Sequence, residues 1–272
     1  MTRARVALAS IALAAALAGC GATSADDVLE RTSANVARVR SAELGLRLVL
    51  EPRSGRGRVG FDLRGPVELR RGRLPIARLA YTQIAGPREA RATFLSTGSA
   101  TFVDVAGTAY RLPQRQADAL ARSAGQIRSG RTLALGRWLA DARVEDGGEL
   151  DGTATDHVSA TLDAVAALRD IFAAAAAAGA DVPDLAGARS DELRHAIERS
   201  SIDVWSGHED RFLRRLRLRI AFRVAPPRPL QHQLGRLVGG RLAFDVDLTH
   251  INQPVRVEAP AGARPVAALG GG

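Results

Sequence analysis

The spacing of apolar residues changes period along this chain, and each change marks an element. Val28, Leu29, Val36 and Val39 recur at helical spacing behind Ser24-Ala-Asp-Asp27, a capping serine followed by acidic residues. The pattern predicts a first helix over residues 25–40. From there the period is two. Leu44, Leu46, Leu48 and Leu50 alternate with Gly45, Arg47 and Val49, and Val59, Phe61, Leu63, Val67 and Leu69 alternate with Gly60, Asp62, Arg64 and Glu68. These are two strands with one apolar face each, joined by a turn at Arg53–Gly57. Short strands at 76–84, 90–97, 100–105 and 108–112 continue as a meander, broken at Gly86-Pro87, Thr97-Gly98 and Ala106-Gly107.

Helices then interrupt the strands. Ala117, Leu120, Ala121 and Ala124 mark one after Pro113, and Leu135, Trp138 and Leu139 mark a shorter one. A strand around His157 to Leu162 leads into a helix over Asp163–Ala178 with Val165, Leu168 and Phe172 as its apolar stripe. Ser190, Asp191 and Glu192 open a further helix that runs to about Arg199. In the last third Leu216, Leu218, Ile220, Phe222 and Val224 alternate with arginines and Ala221, and Leu242, Phe244, Val246 and Leu248 alternate with Ala243, Asp245 and Asp247. One face is apolar and the other charged, which fits an antiparallel sheet wetted on one side and covered by helices on the other: an α+β fold.

The first residues follow a different logic. Met1-Thr-Arg-Ala-Arg5 is a charged region, Val6–Ala16 an apolar run, and Leu17-Ala18-Gly19-Cys20 a small-residue cleavage site, so residues 1–19 read as a secretion signal. No later segment is both long enough and sufficiently free of charge to span a bilayer. Leu-Ala-Gly-Cys resembles the lipobox of bacterial lipoproteins, in which the cysteine receives a diacylglyceryl group. Cys20 is the expected lipidation site and membrane anchor, since each buried methylene contributes about 0.8 kcal/mol. Residues 20–24 form a short tether, 25–266 a single domain, and 267–272 a Gly-rich flexible tail.

Composition narrows the chemistry. The apolar fraction of 46% is that of a globular chain with a core, and a single cysteine allows no internal disulfide. The net charge of +9 comes entirely from arginine, with no lysine in the chain, and it favours anionic headgroups. Nucleic acid is the wrong partner for an exported protein, and aromatics at 4% are too few for base-stacking platforms. The five histidines show no H-x-x-x-H or H-E-x-x-H spacing, there is no G-x-S-x-G elbow, and the lack of lysine removes S-x-x-K and Walker chemistry. No catalytic residue, metal or cofactor is expected. Asp146-Gly-Gly-Glu-Leu-Asp151-Gly lacks the alternation of a calcium loop and reads as a solvated turn. The run Arg211, Arg214, Arg215, Arg217, Arg219 and Arg223 is either an anion or headgroup site or the wet face of a strand, and the wet face is the expected reading.

Three segments carry a family likeness: Asp151-Gly-Thr-Ala-Thr-Asp-His-Val-Ser-Ala-Thr-Leu162; Ile202-Asp-Val-Trp205 with Glu209-Asp210 and Leu213-Arg-Arg-Leu216; and Phe244-Asp-Val-Asp-Leu-Thr with Asn252-Gln-Pro-Val-Arg-Val-Glu-Ala-Pro260. With the lipobox they resemble the LppX/LprAFG family of lipoproteins, whose architecture is similar to the LolA-type lipoprotein carriers. The resemblance implies a strongly curved antiparallel half-barrel with helices packed on its concave face around a cavity for acyl chains. It also implies a monomer that binds lipids or lipidated glycans and carries them within the envelope, with an envelope transporter as partner, and no enzyme activity. The wall candidates are Leu46, Leu48, Phe61, Leu63, Phe94, Val103, Leu218, Ile220, Phe222, Phe244 and Val246, with Val165, Leu168 and Phe172 from the covering helix. The alternative is an envelope scaffold that binds another protein and no lipid.

Overall fold

Two runs of antiparallel strands meet along one seam. The computed structural model describes residues 24–53, 57–70, 72–86, 88–118, 121–122, 135–177, 188–223 and 238–266. The first run is β1 (Ser41–Pro52), β2 (Val59–Glu68), β3 (Ile76–Ala85), β4 (Arg88–Thr97), β5 (Thr101–Val105) and β6 (Thr108–Arg111), each paired with the next. The second is β7 (Leu139–Leu150), β8 (Thr153–Leu162), β9 (Ile197–Gly207), β10 (Leu213–Arg223) and β11 (Gly239–Thr249), paired in the same manner. β1 zips to β11 from Glu43 opposite Thr249 to Pro52 opposite Gly240. A short β12 (Arg264–Pro265) adds in parallel to β6, giving one open twelve-stranded sheet that ends on β12 and β7.

Turn chemistry follows the sequence. Ala106-Gly107 and Asp151-Gly152 both hold two successive positive φ angles, the geometry that matches a tight hairpin to the twist of its strands. The start of β1 is fixed from the far end of the chain: Asn252 Oδ1 accepts from the Arg40 amide at 2.7 Å, and Ser41 donates to the Gln253 carbonyl at 2.5 Å.

Among the described residues the helices are α1 (Ala25–Val36), a 3-10 helix (Leu135–Trp138), α2 (Ala164–Ala177) and α3 (Ala188–Ala196), and residues 114–118 and 121–122 are helical as well. Ser24 Oγ caps α1 by accepting from the Asp27 amide, and Asp163 Oδ1 accepts from the amides of Val165 and Ala166 at the start of α2. Val28 and Leu29 of α1, Leu135 and Trp138 of the 3-10 helix, and Ala164 and Ala167 of α2 share one apolar core with Val158, Ile202, Val204, Leu216, Leu218 and Ile220. Burial of each larger side chain here contributes about 1.5–3 kcal/mol. The core therefore sits over β8–β10, on one side of the sheet.

Three expectations need correction. α1 stops at Val36, four residues early, because the chain must turn to deliver Arg40 and Ser41 to their partners near Asn252. The helix expected to reach Arg199 ends at Ala196, and Ile197 begins β9. Leu139 and Asp146–Leu150, expected in a helix and a solvated turn, belong to β7, whose register shifts twice against β8. Only Asp151-Gly152 is the turn.

Candidate functional site

Side chains alternate across a strand, so register decides which residues share a face. Leu46 stands opposite Val246 and Leu63, and Leu48 opposite Phe244 and Phe61. Leu218 stands opposite Phe244 and Ile202, and Leu216 opposite Val246 and Val204. In the first run Leu63 faces Tyr81, Leu79 faces Phe94, Phe94 faces Val103, and Val103 faces Tyr110. Extended through these pairs, one apolar face crosses the sheet from β6 to β8, and Leu46, Leu48, Phe61, Leu63, Phe94, Val103, Leu218, Ile220, Phe222, Phe244 and Val246 all lie on it.

That face has two parts. Over β8–β10 the helices cover it: Leu218 is 3% exposed, Ile220 5%, and Ile202 and Val204 are fully buried. Over β1–β5 and β11, Leu46, Leu48, Phe61, Leu63, Phe94, Val103, Phe244 and Val246 are all partly accessible, whereas the row Ala42, Ala77, Ser96 and Thr101 at one end of the same face is buried. Phe222 at the end of β10 is half-buried too. Phe61 and Tyr81 stack with ring centres 6.2 Å apart, extending the aromatic surface into β3. On α2, Val165 is buried and Leu168 packs against the core; Phe172 lies in the helix, but its side chain is outside the described residues. Cys20 is also outside them. Sequence reasoning left out Leu79, Tyr81 and Tyr110, which the ladder adds to the half-buried part. Their alternation with Ala80, Thr82 and Ala109 was visible, but only the register ties it to this face.

Over β7–β11 the opposite face is ionic, whereas over β4 and β5 it carries the buried Leu95 and Phe102. Arg215 Nε donates to Asp247 Oδ1 at 2.6 Å, Arg219 stands 2.6 Å from Asp245, and Arg223 2.9 Å from Glu198. Arg215 and Arg217 lie over the Trp205 ring at 5.7 and 5.4 Å, and His157 stacks on it with centres 4.2 Å apart. His157 in turn reaches Glu145 and Asp203 at 2.9 and 3.0 Å. Arg211 pairs with Asp156, and Arg214 with Asp210. Each arginine of the run thus has a carboxylate or an aromatic partner, as a wet strand face needs.

At the β9–β10 turn, Asp156 also meets His208 Nδ1 at 2.8 Å. Burial pushes its carboxyl up, but the hydrogen bonds from His208 and Arg211 outweigh that and hold it below its ordinary value. Thr32 Oγ1 and Ser206 Oγ lie 2.7 Å apart, and Asn35 donates to the Asp210 carbonyl, so this turn fastens α1 to the sheet.

No family model and no curated protein matches the sequence. Among solved structures, the chain is similar to LprF from Mycobacterium bovis, at 17% identity over 89% of this chain and 100% of that one, with a TM-score of 0.48. It is similar to the lipoprotein LppX from Mycobacterium tuberculosis, at 14% identity over 86% and 100%, with a TM-score of 0.41. A LolA superfamily protein from Nitrosomonas europaea is similar at 9% identity over 88% and 96%, with a TM-score of 0.22.

Proposed function

We propose that the chain is an exported lipoprotein of the LppX/LprAFG type, anchored by a lipid on Cys20, that holds the acyl chains of a lipid or glycolipid and carries them within the envelope. One observation carries this reading: a continuous apolar face whose covered part stabilises the fold and whose stretch from Leu46 and Leu48 through Phe61 and Leu63 to Phe94 and Val103 is only half-buried. Apolar surface left in contact with water costs about 25 cal/mol per Å². An acyl chain laid along Leu46, Leu48, Phe61 and Leu63 removes that cost from both partners. In this reading the sheet curves into a half-barrel, the helices cover its concave side, and ligand and core share one surface. The described residues place no nucleophile beside a base on this face; its side chains are mainly hydrocarbon and phenol, with Gln83 opposite Phe61, which suit binding without transformation.

The test is binding of a fluorescent polyene fatty acid to the full chain. Phe61→Arg and Leu63→Arg are expected to abolish binding, while Arg64→Ala, on the opposite face, leaves it unchanged. Equal binding by all four proteins, or none by the parent, contradicts the proposal.

A further inference from the structure

The charged face carries a concavity that the lipid reading does not use. It measures about 800 Å³ and opens where the ends of β1, β9, β10 and β11 lie side by side, with Arg58 at the start of β2. Register explains its shape. One row across the strands is Ser201, Arg219, Ala243 and Val49, and the next is Arg199, Ala221, Arg241 and Glu51. Ser201, Ala221 and Ala243 are short, so they leave a floor, and the arginines around them are long, so they form a rim. Among the apolar wall candidates, Ile220 borders the concavity from behind, since its own side belongs to the core.

The charges on this rim do not cancel. Arg219 has Asp245, and both carboxylate oxygens of Glu198 are taken by Arg53 and Arg223 from outside the floor. The guanidinium groups of Arg58, Arg199 and Arg241 have no ion-pair partner among the described residues, and Glu51 is the one lining carboxylate that no arginine engages there. A guanidinium is a planar fork of donors that fits two oxygens of a phosphate at once and keeps its charge at every physiological pH. Three such forks around a floor of small residues form a receptor for a group with several negative oxygens.

We propose that this concavity binds a phosphate-bearing anion larger than a single phosphate, either a soluble diphosphate or the headgroup of a phospholipid. The site is independent of the acyl-binding face, being on the other side of the sheet.

Calorimetric titration of the full chain in non-ionic detergent with inorganic pyrophosphate tests the first source. Co-flotation of the Cys20→Ala form, which lacks the lipid anchor, with vesicles of phosphatidylcholine, alone or mixed with phosphatidylglycerol, tests the second. The variants are R199A/R241A; A243E, which seats a carboxylate on the floor and serves if the double variant does not fold; and R78A/R143A, a charge-matched control on other strands. Thermal melting shows which are folded. Pyrophosphate binding weakened about tenfold or more in the pocket variants and unchanged in the control supports a soluble ligand. Loss in the pocket variants alone of the gain from phosphatidylglycerol supports a headgroup. If neither probe separates the pocket variants from the control, the proposal is overturned, and the arginines act only as diffuse surface charge.

Discussion

Leu218 stands directly opposite Phe244 across the β10–β11 ladder, yet Leu218 is 3% exposed and Phe244 is half-buried. Phe244 packs against the helix-covered core yet stays partly accessible, so the core gives way to accessible apolar surface at this pair. Truncating them should therefore separate stability from binding. Leu218→Ala is expected to lower the unfolding free energy by about 2–5 kcal/mol, through lost transfer energy and the cavity left behind. Phe244→Ala is expected to cost clearly less, because its solvent-facing part loses little. Urea denaturation of both variants checks this. Equal losses would place the two residues in one core.

The Asp156 cluster predicts an acid limb to stability. A carboxyl held below its ordinary value in the folded state contributes stability that is complete above the unfolded pKa of about 3.9 and is lost as the pH falls through the lower folded value. Asp156→Asn leaves Arg211 in a nearly buried site without its counter-charge, an effect of about 3 kcal/mol at neutral pH. The gap between parent and variant should be constant above about pH 5 and shrink below about pH 4. Melting curves across that range read it directly. A gap that widens on acidification would mean the pair is not the cause.

Gly65 in the middle of β2 sits at φ +139°, where a Cβ would lie 2.0 Å from the Arg78 carbonyl oxygen. Gly65→Ala meets both an unfavourable backbone region and a clash with β3, a penalty of about 1–3 kcal/mol or more. Gly72, in open space at a turn with φ +61°, provides the comparison, since alanine there meets the backbone term alone. Denaturation midpoints of the two variants should fall in that order, Gly65→Ala lower.

Cys20→Ala is expected to move the protein from the detergent phase to the aqueous phase when cells processing the export signal are fractionated. The physical basis is loss of two acyl chains, each methylene of which contributes about 0.8 kcal/mol on burial. Unchanged partitioning would mean that something other than this thiol holds the chain to the membrane.

How much of this was legible in the sequence depended on regularity. β2 and β11 alternate throughout, and β1 and β10 do so from Leu44 to Leu48 and from Arg215 to Ala221, so Leu46, Leu48, Leu218 and Phe244 could be assigned to one face before any pairing was known. β7 was read as helix and turn because its two register shifts break the alternation at Ala140–Arg143 and Asp146–Glu149. It is also the strand at one end of the sheet, where charged side chains blunt further pairing at the expense of a hydrophobic signature. β9 was hidden because α3 passes into it without a connecting loop. The division of the apolar face into a covered and an open part was not readable, since it depends on where helices far away in sequence come to rest. The arginine-rimmed concavity was not readable either: its floor and rim come from separate strands, and no one of them looks unusual.

The most direct test of the acyl-binding account is native mass spectrometry of the full chain, purified from a lipid-producing host, followed by solvent extraction and identification of what is released. The account expects a stoichiometric lipid bound in addition to any lipid attached at Cys20, absent from Phe244→Arg protein that melts as a folded species. A folded parent chain that carries no such lipid, and remains empty after incubation with the lipids of its own envelope, would contradict it and turn attention to a protein partner.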